Sequence, residues 1–160
     1  MKIKVKQAEA TGGIAKPQGC TNHKLRQLMR RVARHYDAEL GKVGLKGTQY
    51  SLLSCVVKLG PIRAVDIAAV LQVSTSTLSR NLRPLVDSGL LAILPGEDAR
   101  SRLVTATPAG QARRAEAQRN WRAAQEQLNT ILGHERVMAL HALIDEAMDL
   151  LCPVPGEFDD

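Results

Sequence analysis

The sequence predicts a mainly α fold with a small β-hairpin wing: a winged helix-turn-helix with flanking helices. Three observations predict it. Apolar residues recur at spacings of three and four over most of the chain, the period of an amphipathic helix. That period breaks at "LLAILPGEDARSRLVTA", where two short apolar runs surround a Gly-Glu-Asp turn, as in a hairpin. Just before it, "STSTLSRNLRPLVDSGLL" opens on four consecutive hydroxyl residues, Ser74 to Thr77, and carries Arg80 and Arg83.

Residues 1–19 lack periodicity, contain Gly12, Gly13, Pro17 and Gly19, and are expected to form a flexible N-terminal arm. The first helix lies in "TNHKLRQLMRRVARHYDAELGKVG", within residues 20–44. Leu25, Leu28, Met29, Val32, Tyr36 and Leu40 form its apolar stripe, Thr21 or Asn22 is the expected cap, and Gly41 and Gly44 mark its end. The second, "TQYSLLSCVVKLG", is expected to be capped by Thr48 and to stop near Gly60-Pro61. "AVDIAAVLQV" is a short apolar third helix.

Ser74 is the expected N-cap of the fourth helix and Gly89 closes it, with Leu78, Leu82, Leu85 and Val86 facing inward. Pro84 removes one backbone hydrogen bond within it, so a bend is expected there. After the hairpin, Thr107-Pro108 starts a long helix, Pro being tolerated at the first helical position. The last helix carries the stripe Val137, Leu140, Leu143, Ile144, Ala147 and Leu151. Residues 45–107 therefore form the winged module, 108–152 the C-terminal helices, and 153–160 an acidic tail.

The 160 residues suffice for one domain with a core, and 44% of them are hydrophobic. No apolar run approaches the roughly 18 residues of a membrane span, and the N-terminus has no secretory h-region. A cytoplasmic protein without membrane contact is expected. With 22 Lys and Arg against 16 Asp and Glu, the net charge of +6 suits a polyanionic partner. The aromatic residues are Tyr36, Tyr50, Trp121 and Phe158. So few rings argue against single-strand or RNA binding, which needs stacking platforms, and favour duplex DNA.

Cys20, Cys55 and Cys152 are far apart and form no CxxC pair, so neither a zinc site nor a disulfide framework is expected. His23, His35, His134 and His141 are scattered, and there is no Gly-rich phosphate loop. The chain is therefore read as a non-enzyme with no catalytic residue, no metal site and no cofactor.

Residues roughly 22–150 resemble the MarR family of bacterial transcription regulators. "PIRAVDIAAVLQVSTSTLSRNLRPLVDSGLL" is similar to the family's helix-turn-helix, with Ser76, Thr77, Ser79 and Arg80 at its Ser-Thr-x-Thr-Arg positions. "GEDARSRLVTATPAG" is similar to its wing, with Asp98 and Arg100 in the Asp-x-Arg pattern and Thr107 and Gly110 in the Thr-x-x-Gly close. Arg63 stands where the family often caps the third helix with Ser or Thr, Gln72 where Gly is common, and Ala106 where Leu is usual.

Short hydroxyls at a helix N-terminus let the helix approach phosphates and base edges closely. Ser74, Thr75, Ser76, Thr77 and Ser79 are the candidates, together with Arg80 and Arg83, which lie three apart on one face. Arg can bond guanine bidentately in the major groove. Arg100 at the wing tip suits the minor groove and Arg102 a phosphate, and the resemblance implies that Asp98 orients a wing arginine. One reading helix holds a site poorly in physiological salt, so a homodimer on a palindromic double-stranded operator is expected, built from the first and the last two helices.

The resemblance further implies release of DNA by a small aromatic acid or phenolic effector. Candidate pocket residues are His23, Arg26, Arg30, Arg34, Tyr36 and Tyr50 on the first two helices, Arg being a partner for a carboxylate. A thiol switch at Cys20, close to His23 and Lys24 at a helix start, is the alternative. A winged module that binds protein instead of DNA is a third reading.

Overall fold

A computed structural model of the protein describes residues 18–96 and 102–151. Most of the expected arm, the hairpin tip with Asp98 and Arg100, Cys152 and the acidic tail lie outside the described residues. The elements run α1 (Thr21–Leu40), a 3-10 turn (Gly41–Val43), α2 (Gly47–Leu59), β1 (Ile62–Arg63), α3 (Ala64–Val70), α4 (Thr75–Asp87), β2 (Leu91–Pro95), β3 (Arg102–Ala106), α5 (Pro108–Leu132) and α6 (His134–Leu150). This is the winged helix-turn-helix with flanking helices that the sequence predicts.

The wing is larger than a hairpin. β3 pairs antiparallel with β2 on one side and with β1 on the other, giving the order β1-β3-β2. Ile62 sits opposite Val104, which in turn faces Ile93. β1 has two residues, too few for alternation to register, and it closes the sheet's far edge. The sheet thereby ties the start of the helix-turn-helix to the strand that leads into α5.

The core gathers under α2, α3 and α4. Leu52, Leu53 and Val56 of α2, Ile67 of α3, and Leu78 and Leu85 of α4 are buried against Leu90, Leu91 and Val104 of the wing. Leu82 and Val86 complete the expected inward face of α4, half-buried on the same core. α5 crosses behind with its small residues inward: Gly110, Ala117 and Ala124, seven apart, are its buried positions. Two helical turns cover about seven residues, so these three form one seam, and their size lets α5 lie close to α1 and α2.

Two caps agree with expectation. Ser74 Oγ accepts the Thr77 N–H at 3.2 Å, and Thr107 Oγ1 accepts the Gly110 N–H at 3.0 Å. Two do not. Cys20, not Thr21 or Asn22, is the N-cap residue of α1; it makes no side-chain cap bond, and Asn22 Oδ1 accepts from Arg26 Nε at 3.1 Å instead. α2 starts after Lys46, and the carboxylate that takes its first N–H is remote: Gly47 N–H donates to Asp37 Oδ1 at 2.7 Å. Thr48, freed from capping, donates to Asn81 Oδ1 of α4 at 3.4 Å.

Arg63 supplies no side-chain cap to α3; it pairs with Asp66 at 2.7 Å, and that contact holds the Asp66 carboxyl below the usual range. Gln72, between α3 and α4, adopts φ 51°, the left-handed region that favours glycine. Its side chain is exposed. Gln72→Gly should therefore stabilise the protein by about 0.5 kcal/mol, relief of backbone strain outweighing the added freedom of the unfolded chain. A lower midpoint in urea unfolding would show that the turn carries no such strain.

Candidate nucleic-acid interface

The arrangement that can meet DNA is built on α4. Leu78 and Leu85 anchor its inner face, so its outer face is fixed by the core rather than by its own contacts. Ser74, Thr75, Ser76, Ser79, Arg80 and Arg83 are all exposed, and Thr77 is half-buried. The hydroxyls are partly self-satisfied. Ser74 Oγ lies 3.1 Å from Ser76 Oγ and donates to Thr77 Oγ1 at 2.9 Å. Ser79 Oγ donates back to the Thr75 carbonyl at 2.9 Å. Four of the candidate side chains, Ser74, Ser76, Thr77 and Ser79, thus finish the helix start, and a phosphate reaching it would compete with bonds of modest net strength.

The arginines are freer. Arg80 Nε reaches the Ser76 carbonyl at 3.3 Å, a contact that leaves its terminal nitrogens available and meets no carboxylate among the described residues. Arg83 lies 3.7 Å from Asp87, both largely exposed, a pair of little energetic weight that water or phosphate can replace. Pro84 has no N–H to offer the Arg80 carbonyl, yet the helix runs on to Asp87. Arg102 is exposed at the start of β3, opposite Pro95, on the strand that the hairpin tip feeds. Asp98 and Arg100 lie outside the described residues.

Asn81 is a residue that reasoning from sequence passed over. It is half-buried on the side of α4 that faces α2, with its Oδ1 held by Thr48. Its amide nitrogen is left as a donor beside Arg80 and Thr77. No sequence signal marks it, because the partner is 33 residues away.

The six candidate effector residues divide. Tyr36 and Tyr50 both pack on Trp121 of α5: Tyr36 tilted against it, with centroids 6.2 Å apart and an interplanar angle of 33°, and Tyr50 stacked, at 6.4 Å and 24°. The Tyr36 hydroxyl donates to Gln125 Oε1, and its partial burial pushes the phenol up from its ordinary value. His35 meets Tyr36 edge-on and bonds through Nε2 to the Ala124 carbonyl at 2.9 Å. Arg26, Arg30 and Arg34 are exposed on another face of α1: at 100° per residue, Tyr36 lies about 200° around from Arg34. His23 is further along, bonded to Gln27 at 2.9 Å. Trp121 and His35, not singled out in the sequence, are what join the two tyrosines.

Cys20 is exposed at the first residue before α1, whereas Cys55 is buried on α2, where loss of solvation pushes its thiol up. Among the described residues no His, Cys, Asp and Glu cluster could hold a metal ion, and no helix is long and apolar enough to cross a membrane.

A second exposed surface is apolar. On α6, Met138, Leu143, Ile144 and Met148 are open to solvent, as are Leu25 and Met29 on α1 and Ile131 at the end of α5. Of the expected α6 stripe only Val137 is buried within this chain. Exposed large apolar side chains grouped along a helix in this way are the kind of surface that association sites use.

Comparison with known proteins bears on the fold and on the helix-turn-helix module. The model of the MarR family matches residues 45–101. The uncharacterized HTH-type transcriptional regulator YwoH of Bacillus subtilis (strain 168) is 32% identical over 85 residues, which make up 53% of this chain and 62% of that protein. The matched span is thus less than two thirds of that relative. Among solved structures, the M. tuberculosis transcriptional regulator MosR in complex with DNA is 28% identical at a TM-score of 0.69, covering 84% of this chain and 100% of that one. Wild-type MarR from E. coli shares the fold at a TM-score of 0.68 and 22% identity, over 82% of this chain and 99% of its own.

Proposed function

We propose that the chain, whose residues 45–101 match the MarR family, is a winged helix-turn-helix transcriptional regulator that binds a palindromic DNA operator as a homodimer. The observation that carries this reading is α4, whose exposed face presents Arg80 and Arg83 while its opposite face is locked into the core. The DNA-bound state of MosR, similar over its whole length, supports the partner. The apolar faces of α1, α5 and α6 support the dimer, which places two copies of α4 on half-sites one helical turn apart, about 34–36 Å. Repression by occlusion of polymerase is the mode we propose.

The test is binding to genomic fragments at two salt concentrations, followed by footprinting. A protected palindrome is expected, and Arg80→Ala should weaken that site by roughly 10- to 100-fold, the cost of losing a bidentate base contact. Weak binding that is equal on all fragments and falls steeply with salt would leave only a basic protein. The protein-interaction reading would then replace this one.

For the switch we propose an aromatic acid or phenolic effector, supported by the Tyr36–Trp121–Tyr50 stack between α1, α2 and α5. The chain has one Trp, so its fluorescence reports this stack directly. Aromatic acids that lower operator affinity should quench it; a panel that changes neither removes the idea. The specific observation favouring the alternative is the exposed Cys20 at the start of α1, with Cys55 buried away. If peroxide releases the operator from the parent but not from Cys20→Ser, the thiol reading takes precedence; equal release from both excludes Cys20.

A further inference from the structure

The helices that carry the apolar faces must also aim α4, and a line of hydrogen bonds runs between the two. α5 grips the end of α1 and the 3-10 turn that follows it through two backbone carbonyls. Asn120 Nδ2 donates to the Glu39 carbonyl at 2.9 Å, and Arg113 Nη1 to the Val43 carbonyl at 2.7 Å. Gln127 reaches the Glu39 side chain, which Lys42 also holds. Two residues before Glu39 on α1, Asp37 extends its carboxylate to the first N–H of α2 at 2.7 Å. One residue into α2, Thr48 donates to Asn81 on α4 at 3.4 Å, the longest link.

Asp37 is the joint in this line. Gln49 of α2 itself takes the Lys46 N–H at 2.9 Å, but the next N–H, that of Gly47, is met by a carboxylate from another helix, ten residues away. A charged acceptor on a helix N-terminus is among the stronger hydrogen bonds. The fit is close: a Cβ on Gly47 would lie 3.3 Å from Asp37 Oδ1.

We propose that Asp37 is a positioning residue for DNA binding: by capping α2 it fixes the reader against α1 and α5, and Thr48 passes that placement to α4 through Asn81. The proposal rests on the DNA-binding reading above. It makes a prediction opposite in sign to simple electrostatics. Asp37→Ala removes one negative charge and takes the net charge from +6 to +7, which by itself strengthens attraction to a polyanion. The strap predicts weaker binding instead.

The experiment measures operator affinity, the salt dependence of that affinity, and amide hydrogen exchange for the full chain and three variants. Asp37→Ala should bind the operator roughly 3- to 30-fold more weakly, the range of positional coupling between packed elements, with an unchanged salt slope because no phosphate contact is lost. Asp37→Asn keeps an acceptor for Gly47 and should bind as the parent does or more tightly. Thr48→Val should weaken binding, with an effect that is less than additive on Asp37→Ala. Hydrogen exchange separates this proposal from the DNA reading, since it needs no operator. In Asp37→Ala the strap predicts faster exchange through α4, whereas a purely local cap predicts it at the start of α2 alone. Unchanged or tighter binding by Asp37→Ala overturns the proposal, as does exchange confined to the start of α2. A parent that protects no site defeats the DNA reading, and the exchange pattern still decides the strap.

Discussion

Gly110→Ala should destabilise the protein by about 3 kcal/mol, the upper range for forcing one extra carbon into a packed site. Gly110 lies in the first turn of α5, where a Cβ would stand 2.0 Å from the Leu90 carbonyl oxygen and 2.9 Å from its carbon. Real Cβ atoms do not come within 3.0 Å, so α5 would have to retreat by about an ångström. The obstacle cannot rotate aside. Leu90 O already accepts from the Thr107 N–H at 3.2 Å, the Thr107 hydroxyl donates to the neighbouring Gly89 carbonyl at 2.7 Å, and Leu90 and Leu91 are buried where β2 begins. A retreat therefore also loosens the Thr107 cap of α5 and the seam of small residues behind it. For a chain of this size the loss should lower Tm by roughly 10 °C. Gly41→Ala is the control: nothing lies within 4 Å of its Cβ position, so it should be neutral or mildly stabilising. Equal Tm values for the two variants would mean that α5 has room to move.

Gly110 also shows how far the sequence could be read. Thr107-Pro108 announced the helix start, and the Thr-x-x-Gly pattern flagged Gly110 by resemblance. The reason for glycine there, a carbonyl from a residue 20 positions earlier (110 − 90), exists only in the fold. The same boundary runs through the rest of the molecule. Ser74 and Thr107 were legible because a hydroxyl cap bonds an N–H three residues on. The acceptor for the Gly47 N–H at the start of α2 was not, because it belongs to another helix. β1 was missed because two residues carry no period. The inward face of α4 followed from spacing alone, but the self-satisfaction of Ser74, Ser76 and Ser79 needed coordinates, and so did the place of Trp121 between two tyrosines.

The stripe on α6 was legible as apolar and yet remains largely open in the folded chain, as do Leu25 and Met29 at the start of the stripe on α1. Leu40 is the buried member of the α1 stripe and Val137 of the α6 stripe. Helical periodicity reports that a face wants burial, not which chain supplies the other side. This exposure leads to the prediction with the largest effect on function.

Ile144→Asp combined with Met148→Asp should leave a folded monomer that has lost operator binding. The two residues are four apart on one face of α6, and they are 40% and 60% exposed in the single chain. Replacing them costs the protomer's own core little, whereas two carboxylates inside an apolar interface would be buried without partners. Sedimentation should show half the parent mass, and Trp121 fluorescence should report an intact α1–α2–α5 stack. Operator affinity should fall by at least about 100-fold, because the second half-site then no longer binds at the high effective concentration that linkage provides. Binding to non-specific DNA should fall far less, since α4 and its arginines are untouched. The contrast with Arg80→Ala is diagnostic: in the proposed dimer that variant should weaken base contact, and this one should keep the contact and remove the second copy. A variant that sediments at the parent mass would place the subunit interface elsewhere. A monomer that still binds the operator at parental affinity would mean that one winged module is sufficient, and the palindrome would lose its physical basis.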